Sequence, residues 1–418
     1  MTIHSTRSGY IRYSHVILFL YAIVVACMIS GYKGVANYIA FGSLLVLLFI
    51  WLVRRGWKVG MTKELLFVVW FMLYYVVTSL FNLDMDYFTT YTAYNLLLMF
   101  PVMICLILEK DQDRAFMRGC LKTTLVLWFA MCIYSIVLYI QNPTVARLAA
   151  ADHETYSGVL IGGYQFAYGS SLLGVYFFSL LFDNRIKSGK IRWALIIGIV
   201  LLALAVYLTE STLTTFSFIL GVIFVLLFDV NRDKSKEMSK RAIPIILLLA
   251  AVIVGYLVIS ANAATIATWL GRRTDIIFFR RVKEIFDSVF YDEQTRHYNE
   301  RISLIEQSWK MFGSSPIFGV GYQYGNVFSS GKLMGVGNHS EIMDNLARHG
   351  IVGAIPLFGL YYRAFKRFHG SHVGVTAAFL LMISCNPFRQ FGSCLILFLV
   401  LPLVEKLIMG VQKSSDLA

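Results

Sequence analysis

Between Ala263 and His349 the chain gathers the residue types that acid–base and anion chemistry require. His339 lies in Asn338-His339-Ser340-Glu341. Asparagine followed three residues later by glutamate predicts a capping box, with a helix starting at Asn338. His339 then falls in a first helical turn, at the positive end of the dipole, which disfavours imidazolium. A neutral imidazole is what a general base must be. The plainer alternative is a surface histidine in a turn. Glu341 and Asp344 are the fallback bases or acceptor contacts. Arg272, Arg273, Arg280, Arg281 and Arg301 offer guanidinium forks suited to bidentate binding of phosphate, and so to an anionic lipid headgroup. Simple anchoring at a membrane surface is the alternative for such arginines. Arg301 is distinguished by flanking an apolar face ahead of a glycine turn. Gly319 and Gly321 in that turn supply backbone dihedrals, without the context of a nucleotide loop.

The elements that must position these residues are set by composition. The chain has 418 residues, 58% hydrophobic and 15% charged, with mean hydropathy +0.67. That balance excludes a soluble protein of this length and predicts an all-α, polytopic membrane protein. Apolar runs long enough to span a bilayer lie near 14–31, 35–53, 64–81, 93–108, 119–140, 162–182, 193–209, 212–228, 243–262, 350–366, 373–387 and 390–409, about twelve transmembrane helices. The stretch 193–228 is too long for one span, and Thr209-Glu210-Ser211-Thr212 is its polar break. The run after Arg7 and Arg12 has no small-residue cleavage site and is expected as a first span.

Lys and Arg set the orientation. Of 37 such residues, 24 fall in the tails and loops of one side. Lys33, Arg147 and Arg389 alone occupy the short loops opposite. By the positive-inside rule both termini are cytoplasmic, Lys236 is inside and Lys332 outside. The net charge of +13 is therefore a topology signal and calls for no nucleic acid. The six cysteines sit in apolar runs without metal-ligand spacing, so neither a metal nor another cofactor is expected. Three parts follow: spans one to nine over 1–262, an outward loop over 263–349, and spans ten to twelve over 350–418.

The loop is too long for a structureless connector. Its pattern predicts three helices. In the first, 275–290, Ile276, Phe279, Val282, Phe286 and Val289 share one face and Arg280, Lys283, Glu284 and Asp287 the other, an amphipathic helix at the membrane surface. In the second, 299–312, Ile302, Ile305, Trp309 and Phe312 share a face and Gly313 stops the helix. The third starts at Asn338 and ends near Gly350.

Over roughly 140–365 the chain resembles the O-antigen polymerase and ligase superfamily, the Wzy-type polymerases and WaaL-type ligases. The resemblance rests on Arg301 and its helix, Ser315-Pro316-Ile317-Phe318-Gly319-Val320-Gly321, His339-Ser340, Asp344-Asn345-Leu346-Ala347 and Gly350-Ile351-Val352-Gly353. Arg147 through Gly162-Gly163-Tyr164-Gln165-Phe166-Ala167-Tyr168-Gly169 adds to it. It implies a GT-C-like glycosyltransferase of the bacterial inner membrane. The implied substrate is an undecaprenyl-pyrophosphate-linked glycan, with membrane lipids and a chain-length regulator protein as partners. It gives His339 the role of base toward the acceptor hydroxyl and Arg301 that of binding pyrophosphate. Many members carry Ser-Arg at the start of the eighth span; here Ser211 is followed by Thr212, so Arg301 must act with Arg147 or with Arg272 and Arg273. His339-Ser340 with Asp344 leans toward polymerase over ligase.

A transporter or lipid-linked glycan flippase is the alternative of another class. Transport of charged cargo favours ionisable residues within spans, and here only Glu210 and Arg389 approach that. Two six-span halves would also place their largest loop centrally and inside, not outside after span nine.

Overall fold

The computed structural model describes residues 7–30, 62–82, 98–111, 114–142, 163–209, 211–229, 254–274, 277–291, 296–321, 327–329, 332–334, 336–337, 339–368 and 372–415, with Ile39, Gly42, Ser43 and Val46. The expected span at 35–53, Arg147 and Lys236 lie outside the described structure or almost wholly so.

Helices dominate. In chain order they are α1 (Arg7–Ser30), α2 (Lys63–Asn82), α3 (Phe100–Asp111), α4 (Arg114–Gln141), α5 (Gly163–Leu181), α6 (Gly189–Leu208) and α7 (Thr212–Phe224). A π-helical turn, Val225–Asp229, extends α7. Then come α8 (Val254–Ala261) and α9 (Ala263–Gly271), bent by 74° at their junction. The loop continues as α10 (Ile277–Phe290), α11 (Arg296–Ser314) and a hairpin of β1 (Val327–Ser329) and β2 (Lys332–Met334). The chain closes with α12 (Glu341–Phe368), α13 (Val373–Cys385) and α14, which runs Phe391–Leu395, a π turn Ile396–Val400 and Leu401–Ser415.

Among the described residues, four helices are long and apolar enough to cross a membrane: Arg114–Gln141, Gly189–Leu208, Thr212–Asp229 and Phe391–Ile408, with a fifth if the bent pair α8–α9 counts as one span. The protein is thus a membrane protein, all-helical among the described residues apart from one short hairpin. The break predicted at Thr209–Ser211 separates α6 from α7, with both hydroxyls turned back onto the backbone or buried.

The core is a continuous cluster built mainly on α14, α5, α1 and α3, with α2, α4, α12 and α13 packed into it. Small residues let these helices approach, as bilayer packing requires. A Cβ at Gly221 would lie 2.6 Å from Val175, and one at Gly353 would lie 2.7 Å from the Tyr74 ring. The second contact seats α2 against α12.

The loop helices differ from the periodicity in two places. Asp287, expected on the polar face of α10, is buried beside Phe286 and paired with Lys283 one turn earlier. On α11, Ile302 and Trp309 are exposed, whereas Ser308 is fully buried. The hydroxyl–carboxylate bond of Ser308 with Asp344 sets which side of α11 faces α12, and it overrides the apolar stripe.

Candidate functional site

The site forms where the glycine turn meets α12. That helix has two arms, joined at Gly350 with φ 56° and ψ −168°. The turn lies against this break as a short ladder. Val320 N donates to Ala347 O at 2.9 Å and Gly321 N to Arg348 O at 2.9 Å. In return Ile351 N donates to Pro316 O at 2.8 Å and Val352 N to Ile317 O at 3.1 Å. The kink thus frees carbonyls and amides that the turn satisfies. Gly319 also has positive φ, 74°, and a Cβ there would sit 2.2 Å from Arg348 O; one at Gly350 would sit 2.3 Å from Ile317 O. Both glycines are needed for conformation and for backbone contact.

The start of α12 is fixed next. The first helical bond runs from Asp344 N to Ser340 O at 2.9 Å, which makes Ser340 the N-cap. Asp344 closes the cap by accepting from Ser340 N at 3.0 Å. The helix therefore begins at Glu341, later than the Asn338 start expected, and Asn338 itself lies outside the described residues. His339 stands just ahead of the cap rather than inside the first turn. Its Nδ1 is 3.2 Å from Gly337 O. A carbonyl only accepts, so Nδ1 carries the proton of this contact, and in the neutral tautomer that makes it the lone pair sits on Nε2. The ring is partly exposed.

Gly337 is held in turn. Its amide donates to Ser308 Oγ at 2.9 Å, and Ser308 donates to Asp344 Oδ1 at 2.6 Å. A Cβ at Gly337 would lie 2.0 Å from Leu304 O, so this segment lies directly on α11. Burial pushes the Asp344 carboxyl above its usual range, offset in part by the Ser308 and Ser340 bonds. The Glu341 oxygens are also committed: Tyr361 OH donates to Oε1 at 2.8 Å, and the amides of Phe388 and Arg389 to Oε2 at 2.9 and 3.1 Å. Both candidate fallback bases are buried and spend their oxygens on scaffold contacts; His339 is the member of the group open to solvent.

A cluster that sequence reasoning missed lies beneath the kink. His349 closes the first arm of α12. Its Nε2 is 3.0 Å from Tyr75 OH and 3.2 Å from Arg389 Nη2. The Arg389 guanidinium also lies 5.6 Å from the centre of the Phe71 ring. Burial, then Arg389 and Arg348, hold the His349 pKa well below its ordinary value. A neutral His349 accepts from the guanidinium, and Tyr74 OH donates to Phe318 O at 2.8 Å alongside. These contacts join residues 274 and 40 positions apart. The only sequence signal was a lone arginine, Arg389, in a short apolar loop.

The remaining predicted residues are less closely gathered. Arg301 lies on α11, two turns before Ser308. Arg272 and Arg273 are exposed in the turn after α9. The Arg273 guanidinium stacks 4.2 Å from the centre of the Trp269 ring, a cation–π contact. Among the described residues, no contact ties this pair to His339.

These features define an all-helical membrane protein with a capped, kinked loop helix presenting a histidine. Residues 197–358 match the O-antigen ligase family model. The match, which runs in this chain from α6 into the second arm of α12, supports the O-antigen ligase and polymerase superfamily. Tyr75 and Arg389 lie outside the matched stretch. No curated protein matches the chain.

Proposed function

We propose that the protein polymerises undecaprenyl-pyrophosphate-linked oligosaccharide repeat units at the periplasmic face of the bacterial inner membrane. The reading assumes the full twelve-span, GT-C-like scaffold with both termini cytoplasmic. The observation that carries it is His339: a partly exposed ring with Nδ1–H on Gly337 O, in a segment that Ser308 and Asp344 fix against α11 within the matched stretch.

In the reaction, the acceptor sugar hydroxyl gives its proton to His339 Nε2. The hydroxyl oxygen bonds to the anomeric carbon of the donor chain. The anomeric C–O bond breaks, and undecaprenyl pyrophosphate leaves with the electron pair. Arg301 binds the pyrophosphate, with Arg147 or with Arg272 and Arg273. Glu341 and Asp344 shape the site through their scaffold contacts. A chain-length regulator protein is a natural partner for a polymerase.

Gene deletion with gel analysis of surface glycan tests the reading. Loss of the ladder with a single repeat retained is the expected result. Loss of every repeat from the lipid core, with polymer still made on the carrier lipid, identifies a ligase instead. A flippase predicts repeats trapped on the cytoplasmic face. Cysteine labelling checks the orientation: Lys332→Cys reacts from outside in intact cells, and Lys236→Cys does not.

A further inference from the structure

The glycine turn carries two large apolar side chains at its tip, both well exposed among the described residues: Ile317 at 57% and Phe318 at 64%. Neither contributes to the ladder through its side chain. Exposed apolar residues at a loop tip are costly in water and mark a contact surface. Here the surroundings indicate what covers them. The backbone of the tip is bonded to Ile351 and Val352 of α12 and to Tyr74 of α2. Both helices present apolar side chains outward next to those points: Ile351 and Ile355 on α12, Leu73 and Val77 on α2. The apolar runs 64–81 and 350–366 are expected from the sequence as spans, and in a span such residues face lipid. The tip is therefore continuous with a lipid-facing surface. It sits against Tyr74, in the C-terminal half of α2, and against the start of the second arm of α12. By contrast Ser314, on the same connection, is exposed and polar.

We infer that Ile317 and Phe318 insert among the phospholipid acyl chains of the leaflet on the loop side, anchoring the glycine turn, and with it the α12 kink, in the bilayer. The partner is bulk phospholipid. This inference depends on α2 and the second arm of α12 being spans and is independent of glycan transfer.

Photo-crosslinking in phosphatidylethanolamine–phosphatidylglycerol vesicles tests it. A benzophenone amino acid replaces Phe318 in the full chain, with Leu73 as a lipid-facing control and Ser314 as an aqueous one. The expected result is a mass shift of one phospholipid at 318, in yield comparable with 73, and little at 314. The same substitution at Ile317 guards against a local distortion at 318. Adducts at 73 but none at 317 or 318 overturn the inference. So does an adduct at 318 with another protein chain in place of lipid.

Discussion

Two buried polar clusters sit at opposite ends of α13, and they are built on different logic. At its N-terminal end, His372 meets Glu405 Oε1, Ser179 Oγ lies 2.5 Å from His372 Nδ1, and Tyr176 OH donates to Glu405 at 3.2 Å. Arg185 bridges Glu405 at 3.5 Å and Asp183 at 2.5 Å. Burial of Asp183 would raise its pKa, but its bonds to Arg185 hold it below the usual range. Acid and base alternate here, and the network ties α5, α13 and α14 into a clamp. At the C-terminal end, past Asn386, Arg389 meets an imidazole and a phenol, and the nearby carboxylate of Glu341 gathers backbone amides. That cluster fixes a bent loop helix. The first end secures the bundle; the second orients the arm that begins beside His339.

The comparison predicts different costs. The largest falls on the kink. Gly319→Ala puts a Cβ into the Arg348 carbonyl at positive φ, and a destabilisation of about 2–4 kcal/mol is expected. Thermal unfolding of the purified protein measures it, and an unchanged midpoint would mean that the turn and the kink separate freely.

Next come the clusters themselves. Arg389→Lys loses the planar contacts to His349, Tyr75 and Phe71, so turnover should fall by about tenfold or more while substrate affinity changes less. Glu405→Gln should lower the unfolding midpoint, because it leaves Arg185 and His372 with a weaker partner, yet keep turnover near normal. The opposite pattern would reverse the roles assigned to the two ends.

Arg301→Lys is expected to lose most activity with stability intact, since an ammonium does not reproduce a bidentate phosphate contact. Near-normal polymer length at matched protein level would make Arg301 an interfacial anchor.

The smallest effect is in pH. The folded-state pKa of His349 is depressed, so its contribution to stability is full above the unfolded value, about 6.5, and is lost as pH falls toward the folded value. His349→Asn should flatten that acid-side loss relative to wild type, as followed by the unfolding midpoint. An identical pH profile would mean that His349 takes up its proton equally in both states.

The two ends were unequally legible in the sequence. Local signals carried far: one polar break separated α6 from α7, and amphipathic periodicity located α10 and α11 to within a few residues. The same periodicity failed for Trp309, because a buried Ser308–Asp344 bond outweighed an apolar stripe at the surface. The capping box was real in kind but displaced, built from Ser340 and Asp344 rather than Asn338 and Glu341. Tyr75 and His349 left no local trace, and Arg389 showed only as a lone arginine in a short apolar loop. Their meeting depends on how α2, α12 and α14 pack, and spacing along one helix carries none of that.

His339 is the residue on which the proposed transfer turns. Polymer formation from a purified lipid-linked repeat, with wild type, His339→Ala and His339→Gln matched for monodispersity, tests it most directly. A general base predicts a turnover loss of about 10²–10⁴-fold in His339→Ala and no rescue by glutamine, which keeps a hydrogen bond but accepts no proton. Rescue by glutamine would reduce His339 to positioning, and a wild-type rate in His339→Ala would remove it from the mechanism.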